Sequence, residues 1–380
     1  MRILRSLLIT LAVVNFSNAQ DSFEKLLPHD FEICEPSSED LARAKSGNQG
    51  ALAALEAIKQ GNNLWRSGEL KQSGVSYQRA VELDPSLYAA QFNLGLTQFQ
   101  SRQYSQAALA FTEALRLRPD SLTAWQNLGL SQYYGKQYAK AVEAFSQAQR
   151  LAPNDVATIN NLGFAYIFAD RYQEAIATFQ NALRLRPRLS PSLNGLCSAE
   201  ALAEKLADAM EPCLNAVAAE PDSSIAHYFL GYAYLDRGDY EKGLSSFQKA
   251  DRLEPHSAKI QVGLGFAYLK LKQYEVALKQ FEQARKLNPK VEYALAGMGT
   301  AYARMKDYEK AENVLREAVS TTPATPAAIF NLGIVCLARR NRDCALSQYN
   351  RLKMMDSAFA KTLFDNIYQD RVVDVSKMKK

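Results

Sequence analysis

Histidine is scarce, with three in 380 residues, and His29, His227 and His256 lie far apart with no cysteine or carboxylate at ligand spacing. Neither a metal centre nor a general-base constellation can be assembled from them. A glycine-rich phosphate loop is also missing, so no cofactor is expected and the chain does not read as an enzyme. Charge of one sign is in short supply too. Lysine and arginine total 45 against 40 acidic residues, a formal net charge of +5, which gives no basic face for displacing phosphate counterions and argues against a nucleic-acid partner. Arg116, Arg118, Arg150, Arg184, Arg186 and Arg188 cluster, but each falls near the end of an expected helix, where a cation favours the macrodipole.

Long apolar runs are lacking except at the N-terminus. There Arg2 and Arg5 precede the run Leu7 to Val14 and the small-residue stretch Ser17, Asn18, Ala19, the charge, length and cleavage chemistry of a secretory signal. Spanning a bilayer needs about 20 apolar residues, so cleavage after Ala19 is expected in preference to a retained anchor. Loss of Arg2 and Arg5 lowers the net charge from +5 to +3. The mature protein, without an integral membrane segment, is expected in a periplasm, outside the cell, or in the endoplasmic reticulum lumen if the source is eukaryotic.

What the chain has in abundance is a period. Pro85, Pro119, Pro153, Pro187, Pro221, Pro255, Pro289 and Pro323 stand 34 residues apart, and a fixed period of this length marks a repeat architecture. With proline as the thirty-second residue, units begin at Ala54, Tyr88, Leu122, Val156, Ser190, Ser224, Ala258, Glu292 and Pro326. The eighth place is glycine in every unit but one, which has Cys197. The twentieth is small throughout, and the twenty-seventh is alanine until Leu352. The twenty-fourth is bulky, as in Tyr77, Phe111, Phe145, Phe179, Phe247 and Phe281, with Cys213 the exception. Apolar residues recur at three- and four-residue spacing on both sides of a polar break such as 134–137 or 236–239, so each unit is a helical hairpin.

Trp125, Leu128, Gly129, Tyr138, Ala141, Phe145, Ala148 and Pro153 set out the pattern in one unit, and the chain resembles the tetratricopeptide repeat (TPR) family over residues 54–357. The resemblance implies an all-α, right-handed α-solenoid of nine TPR hairpins whose first helices line a concave side, since one hairpin cannot bury its apolar face alone. The expected organisation is a signal over 1–19, an N-terminal segment with a short capping helix over 20–53, the repeats over 54–357, and a capping helix with a loose basic tail over 358–380. Ser37 or Ser38 is expected to cap the short helix, and Gly47 to Gly50 to break it before the first repeat.

Five cysteines in an exported chain call for pairing. In an antiparallel hairpin, Cys197 with Cys213 and Cys336 with Cys344 stand level across their own turns, so each pair is a candidate disulfide. The alternative is a set of buried thiols acting as small hydrophobes. Cys34 is left over, either free or a link to another chain.

The resemblance also assigns a partner-binding face: the second, fifth, ninth, twelfth and thirteenth places. These include Phe92, Phe99, Tyr133, Tyr134, Phe164, Phe168, Tyr228, Tyr232 and Phe266. Read as exposed, they form an aromatic groove for an apolar peptide or helix; read otherwise, they pack against the next repeat. Asn93, Asn127, Asn161 and Asn331 hold the sixth place. They resemble the asparagine ladder with which the repeats of a glycosyltransferase hold a peptide backbone, an amide being donor and acceptor at once, although asparagine is also ordinary in the Asn-Leu-Gly segment of this family. The function this implies is a secreted or periplasmic scaffold binding a protein or peptide. Two alternatives are a chaperone-like holder of unfolded apolar segments and an accessory subunit of an exported enzyme or envelope assembly. The oligomeric state is not legible in the sequence.

Overall fold

In the computed structural model of the chain, the described residues are 32–45, 49–203, 205–320 and 325–377. The segment 1–19 expected to be an export signal, residues 20–31 with His29, Gly47, Pro323 and residues 378–380 lie outside them. Among the described residues there are 20 helices and no strand: an all-α solenoid of TPR hairpins.

The helices gather into two compact units that meet at residues 199 and 200. The first contains α1 (Ser38–Lys45) and the hairpins α2/α3 (Gln49–Arg66, Leu70–Leu83), α4/α5 (Tyr88–Gln100, Tyr104–Leu117), α6/α7 (Leu122–Tyr134, Tyr138–Leu151) and α8/α9 (Val156–Phe168, Tyr172–Leu185). Helix α10 (Ser190–Leu202) contains the boundary. The second contains α11 (Leu206–Ala219), α12/α13 (Ser224–Arg237, Tyr240–Leu253), α14/α15 (Ala258–Lys270, Tyr274–Leu287), α16/α17 (Glu292–Arg304, Tyr308–Ser320), α18/α19 (Pro326–Ala338, Arg342–Met354) and α20 (Ala358–Lys377). Within each unit the second helix of a hairpin packs on its own first helix and on the first helix of the next repeat.

The periodic columns explain that packing. The ring of Phe145 lies so close to Gly129 that a Cβ there would meet it at 2.6 Å. The same close approach joins Gly61 to Tyr77, Gly95 to Phe111, Gly163 to Phe179, Gly231 to Phe247, Gly265 to Phe281 and Gly299 to Leu315. Three of these rings also press on the next repeat: Phe179 on Gly195, Phe247 on Gly263 and Phe281 on Gly297. All are fully buried, and each contributes roughly 1.5–3 kcal/mol by leaving water.

The turns follow the same period. The fifteenth residue of each described turn has positive φ: Gly68 and Gly238, but also Arg102, Lys136, Asp170, Lys272, Lys306 and Arg340. Gly135, the glycine in the 134–137 break, has φ −74° and is not the left-handed residue. At four of the other junctions the thirty-fourth residue caps the next hairpin. Ser121, Asp155, Ser223 and Thr325 accept from the backbone N–H three residues on, meeting donors that a helix start leaves unpaired.

The ends differ from expectation in two respects. Ser37 caps α1, its hydroxyl accepting from the Asp40 N–H at 3.2 Å, but α2 already begins at Gln49 and takes Gly50 into the helix. Helix α20 runs on to Lys377, so most of the expected loose tail is helical. Its Leu363 and Ile367 are buried against the last hairpin, and Leu363 sits over Gly333 as the phenylalanines sit over theirs. Among the described residues no helix is long and apolar enough to cross a membrane.

Candidate functional site

The aromatic residues of the first helices are not an exposed surface. Phe92, Phe99, Tyr133, Phe164, Phe168, Tyr232 and Phe266 are all buried, at 9% exposure or less; Tyr134 and Tyr228 are half-buried. The reason is edge-to-face packing, which aromatic rings favour. Phe92 meets Phe111, Phe164 meets Phe179, Phe266 meets Phe281 and Tyr232 meets Phe247, with centroids 4.9–5.5 Å apart. Phe99 and Tyr134 join Tyr104, while Tyr133 and Phe168 join Tyr138. Burial pushes the Tyr228 hydroxyl up to about 12 and that of Tyr232 well above its ordinary range. Neither will ionise near neutrality.

The sixth-place asparagines behave otherwise, and the ninth residue of the preceding repeat decides how. Asn93 donates from Nδ2 to Asn62 Oδ1 at 3.2 Å, and Asn331 donates to Thr300 Oγ1 at 3.1 Å. Asn62 and Thr300 are both ninth-place residues of the repeat before. For Asn127 and Asn161 that place holds Leu96 and Leu130, which offer nothing polar. Asn127 turns back to the Thr123 carbonyl of its own helix at 2.8 Å. Asn161, 2% exposed, keeps an Oδ1 with no hydrogen-bond donor. A buried acceptor left bare costs roughly 1–3 kcal/mol, and native proteins hold few of them.

Asn93 shows what such an amide does when a peptide lies against it. Residues 32–37, an irregular stretch before α1, pass over the first two repeats. Asn93 Oδ1 accepts the Cys34 N–H at 2.7 Å while its Nδ2 donates to the Cys34 carbonyl at 2.8 Å. Both main-chain groups of one residue are thereby satisfied by one side chain. Behind it, Asn62 Oδ1 also accepts from the Tyr77 hydroxyl at 2.7 Å, which fixes the amide orientation. The Cys34 thiol, half-buried against the core of the first repeats, is pushed up by burial. Asn62 was missed by sequence reasoning, although a polar residue in an apolar column marked it.

Two chemistry-bearing groups are accounted for structurally. His227 holds the fourth place of its repeat, as Trp125 does of its own. Their ring nitrogens reach the carbonyls of Pro221 and Pro119 at 2.9 and 2.8 Å. Glu312, Cys336 and Cys344 are the only carboxylate and sulfur groups close enough to share an ion among the described residues, but the sulfurs are bonded to each other across α18 and α19, with Cα atoms 5.8 Å apart. The carboxylate is held by Arg316 at 2.7 Å and Arg339 at 2.8 Å. Cys197 and Cys213 are also buried half-cystines.

Models of the tetratricopeptide repeat match residues 92–156, 156–189, 234–298 and 271–332. The chain belongs to the tetratricopeptide repeat family. Solved structures of TPR type share the fold. A tetratricopeptide repeat protein from Parabacteroides merdae is 18% identical with a TM-score of 0.54, over 66% of this chain and 99% of its own. The APC/C hetero-tetramer Cut9-Hcn1 contains a chain 14% identical with a TM-score of 0.55, over 92% of this TPR protein and 80% of its own. No curated protein matches the chain.

Proposed function

We propose that this TPR protein is an exported scaffold that binds an extended segment of a protein partner along the first-helix wall of residues 54–199. The reading rests on Asn93, whose amide grips both main-chain groups of Cys34. It makes the sixth-place amides the contacts, in place of exposed rings. Main-chain recognition of this kind supplies affinity without demanding a fixed side-chain sequence. Export is supported by the N-terminal signal pattern and by four half-cystines, which persist in oxidising compartments. The protein acts by holding its partner and performs no chemistry of its own.

The test is photo-crosslinking and co-purification from the exported fraction, with the mature N-terminus read by mass spectrometry. A defined partner is expected, captured at least tenfold less well by Asn127→Ala and Asn161→Ala at unchanged melting temperature. Undiminished capture by both variants, or a mature chain still carrying residues 1–19 in the cytosol, would overturn the reading.

A further inference from the structure

The hairpin turns of the second unit carry a feature that a partner on the first-helix wall does not use. The left-handed residues of three successive turns are Lys272, Lys306 and Arg340, with φ of 62°, 65° and 61°. Glycine fits this conformation at less cost, and Gly238 fills it one turn earlier. Lys270 and Arg304, the last residues of α14 and α16, stand two places before Lys272 and Lys306, so these turns read Lys-Leu-Lys and Arg-Met-Lys. Between its two cations Met305 is 38% exposed. The macrodipole favours cations at helix ends, but it gives no reason for a long cation to take the place that suits glycine. Residues held in sparsely populated backbone regions gather where function needs them.

These cations are not neutralised within the protein. Among the described residues none of Lys270, Lys272, Arg304, Lys306 and Arg340 pairs with a carboxylate, whereas Asp307 is held by Lys310 at 2.9 Å and Glu312 by Arg316 and Arg339. Over 270–275, 304–310 and 339–343, eight cations stand against four acids. Burial, and then Arg304 from the next repeat, bring the Lys270 ammonium down to about 8, with Asp236 acting against them. Cations of neighbouring repeats therefore face one another, and Lys270 is still charged at neutrality. Packed helices stand roughly 10 Å apart, about one Debye length at 0.1 M salt, so the potentials of successive turns add. The first unit has no such edge. Its corresponding triplets, Gln100-Ser101-Arg102, Tyr134-Gly135-Lys136 and Phe168-Ala169-Asp170, hold one cation each and then an acid.

We propose that the turn edge of the last three repeats docks on an anionic phospholipid surface, with Lys270, Lys272, Arg304, Lys306 and Arg340 meeting headgroup phosphates and Met305 entering the interface between them. Charge complementarity alone would also suit a soluble polyanion. The exposed apolar side chain set between cations favours the bilayer, because it gains by burial at the headgroup boundary and gains nothing beside a charged polymer in water.

The test is co-sedimentation of the full mature chain with vesicles of phosphatidylglycerol and phosphatidylcholine in equal parts, against vesicles of phosphatidylcholine alone. Binding is expected to the anionic vesicles only, and raised salt should weaken it. A cation near such a surface is worth roughly fivefold in partition, so the triple variant Lys272→Gly, Lys306→Gly, Arg340→Gly should bind at least about twentyfold more weakly. Glycine suits these turns, so the variant should melt no lower than the parent. If it does melt lower, the same three positions changed to Gln remove the charge and keep the side-chain length. Arg102→Gly with Lys136→Gly, the same exchange in the first unit, should leave binding unchanged, and Met305→Ser should weaken it severalfold. Equal binding to neutral vesicles, undiminished binding by a folded triple variant, or equal loss in the first-unit variant would each overturn the proposal. So would capture of polyaspartate or a double-stranded oligonucleotide without capture of vesicles. The vesicles contain no protein, so failure here leaves the peptide-binding wall standing, and failure of the wall leaves this docking edge standing.

Discussion

The ring of Phe179 lies against Gly195, in the first helix of the following repeat, closely enough that a Cβ there would overlap it. Gly195→Ala gains about 1 kcal/mol in helix propensity but overpacks a fully buried ring, which costs about 1–3 kcal/mol. The expected result is a net loss of stability of up to about 2 kcal/mol in thermal or urea melts. Gly74→Ala is the control, since its nearest neighbour is Thr97 at 3.7 Å. It should gain stability.

The left-handed turns make a second prediction. A non-glycine residue in this conformation costs about 1–2 kcal/mol, offset by the greater chain entropy that glycine loses on folding. Lys136→Gly and Lys272→Gly, with native φ of 59° and 62°, should each stabilise by up to about 1 kcal/mol. Gly135→Ala beside them should not destabilise through φ, and a melting temperature lowered by Lys136→Gly would contradict this reading of the turn.

Reduction should loosen the last hairpin. Cys336 and Cys344 are eight residues apart, and in the chain-entropy model a loop of that size is worth about 2.5 kcal/mol. Cys336→Ser with Cys344→Ser should lower the urea midpoint accordingly. Adding dithiothreitol should then change that variant less than the parent.

The second unit should respond to alkaline pH. Burial holds Lys259 and Lys270 down to about 8 against an ordinary 10.5, and Arg304 lowers Lys270 further. The folded state thus binds fewer protons than the unfolded state between about pH 8 and 10.5, so stability rises with pH in that window. Tyr228 of the same unit, pushed up to about 12 by burial, acts oppositely above pH 10. The melting temperature should climb from pH 8 towards 10 and fall beyond. Lys270→Met should raise it at pH 7 and flatten the climb.

The hairpins were legible because their spacing is written in prolines, glycines and rings that each have one physical job. The wall was harder to read. A phenylalanine such as Phe164 occupies a place that could face outward, and only coordinates reveal that its ring turns edge-on to Phe179. The asparagine column was visible, but its behaviour depends on residues 31 positions earlier, Asn62 for Asn93 and Leu130 for Asn161. A period of 34 does not display that pairing. Lys136 taking the left-handed turn in place of adjacent Gly135 was hidden for a similar reason, since the turn is fixed by the position where the helix ends.

Large and small side chains alternate across repeat junctions. Phe179 is followed at the next sixth place by Gly195, Phe247 by Gly263 and Phe281 by Gly297, whereas the small Cys213 is followed by Phe229. Modules of identical length are thus not interchangeable parts. Excising residues 190–223 would remove one whole repeat and preserve the phase of the rest, yet confront Phe179 with Phe229, so a shortened chain would fold only with that junction recut.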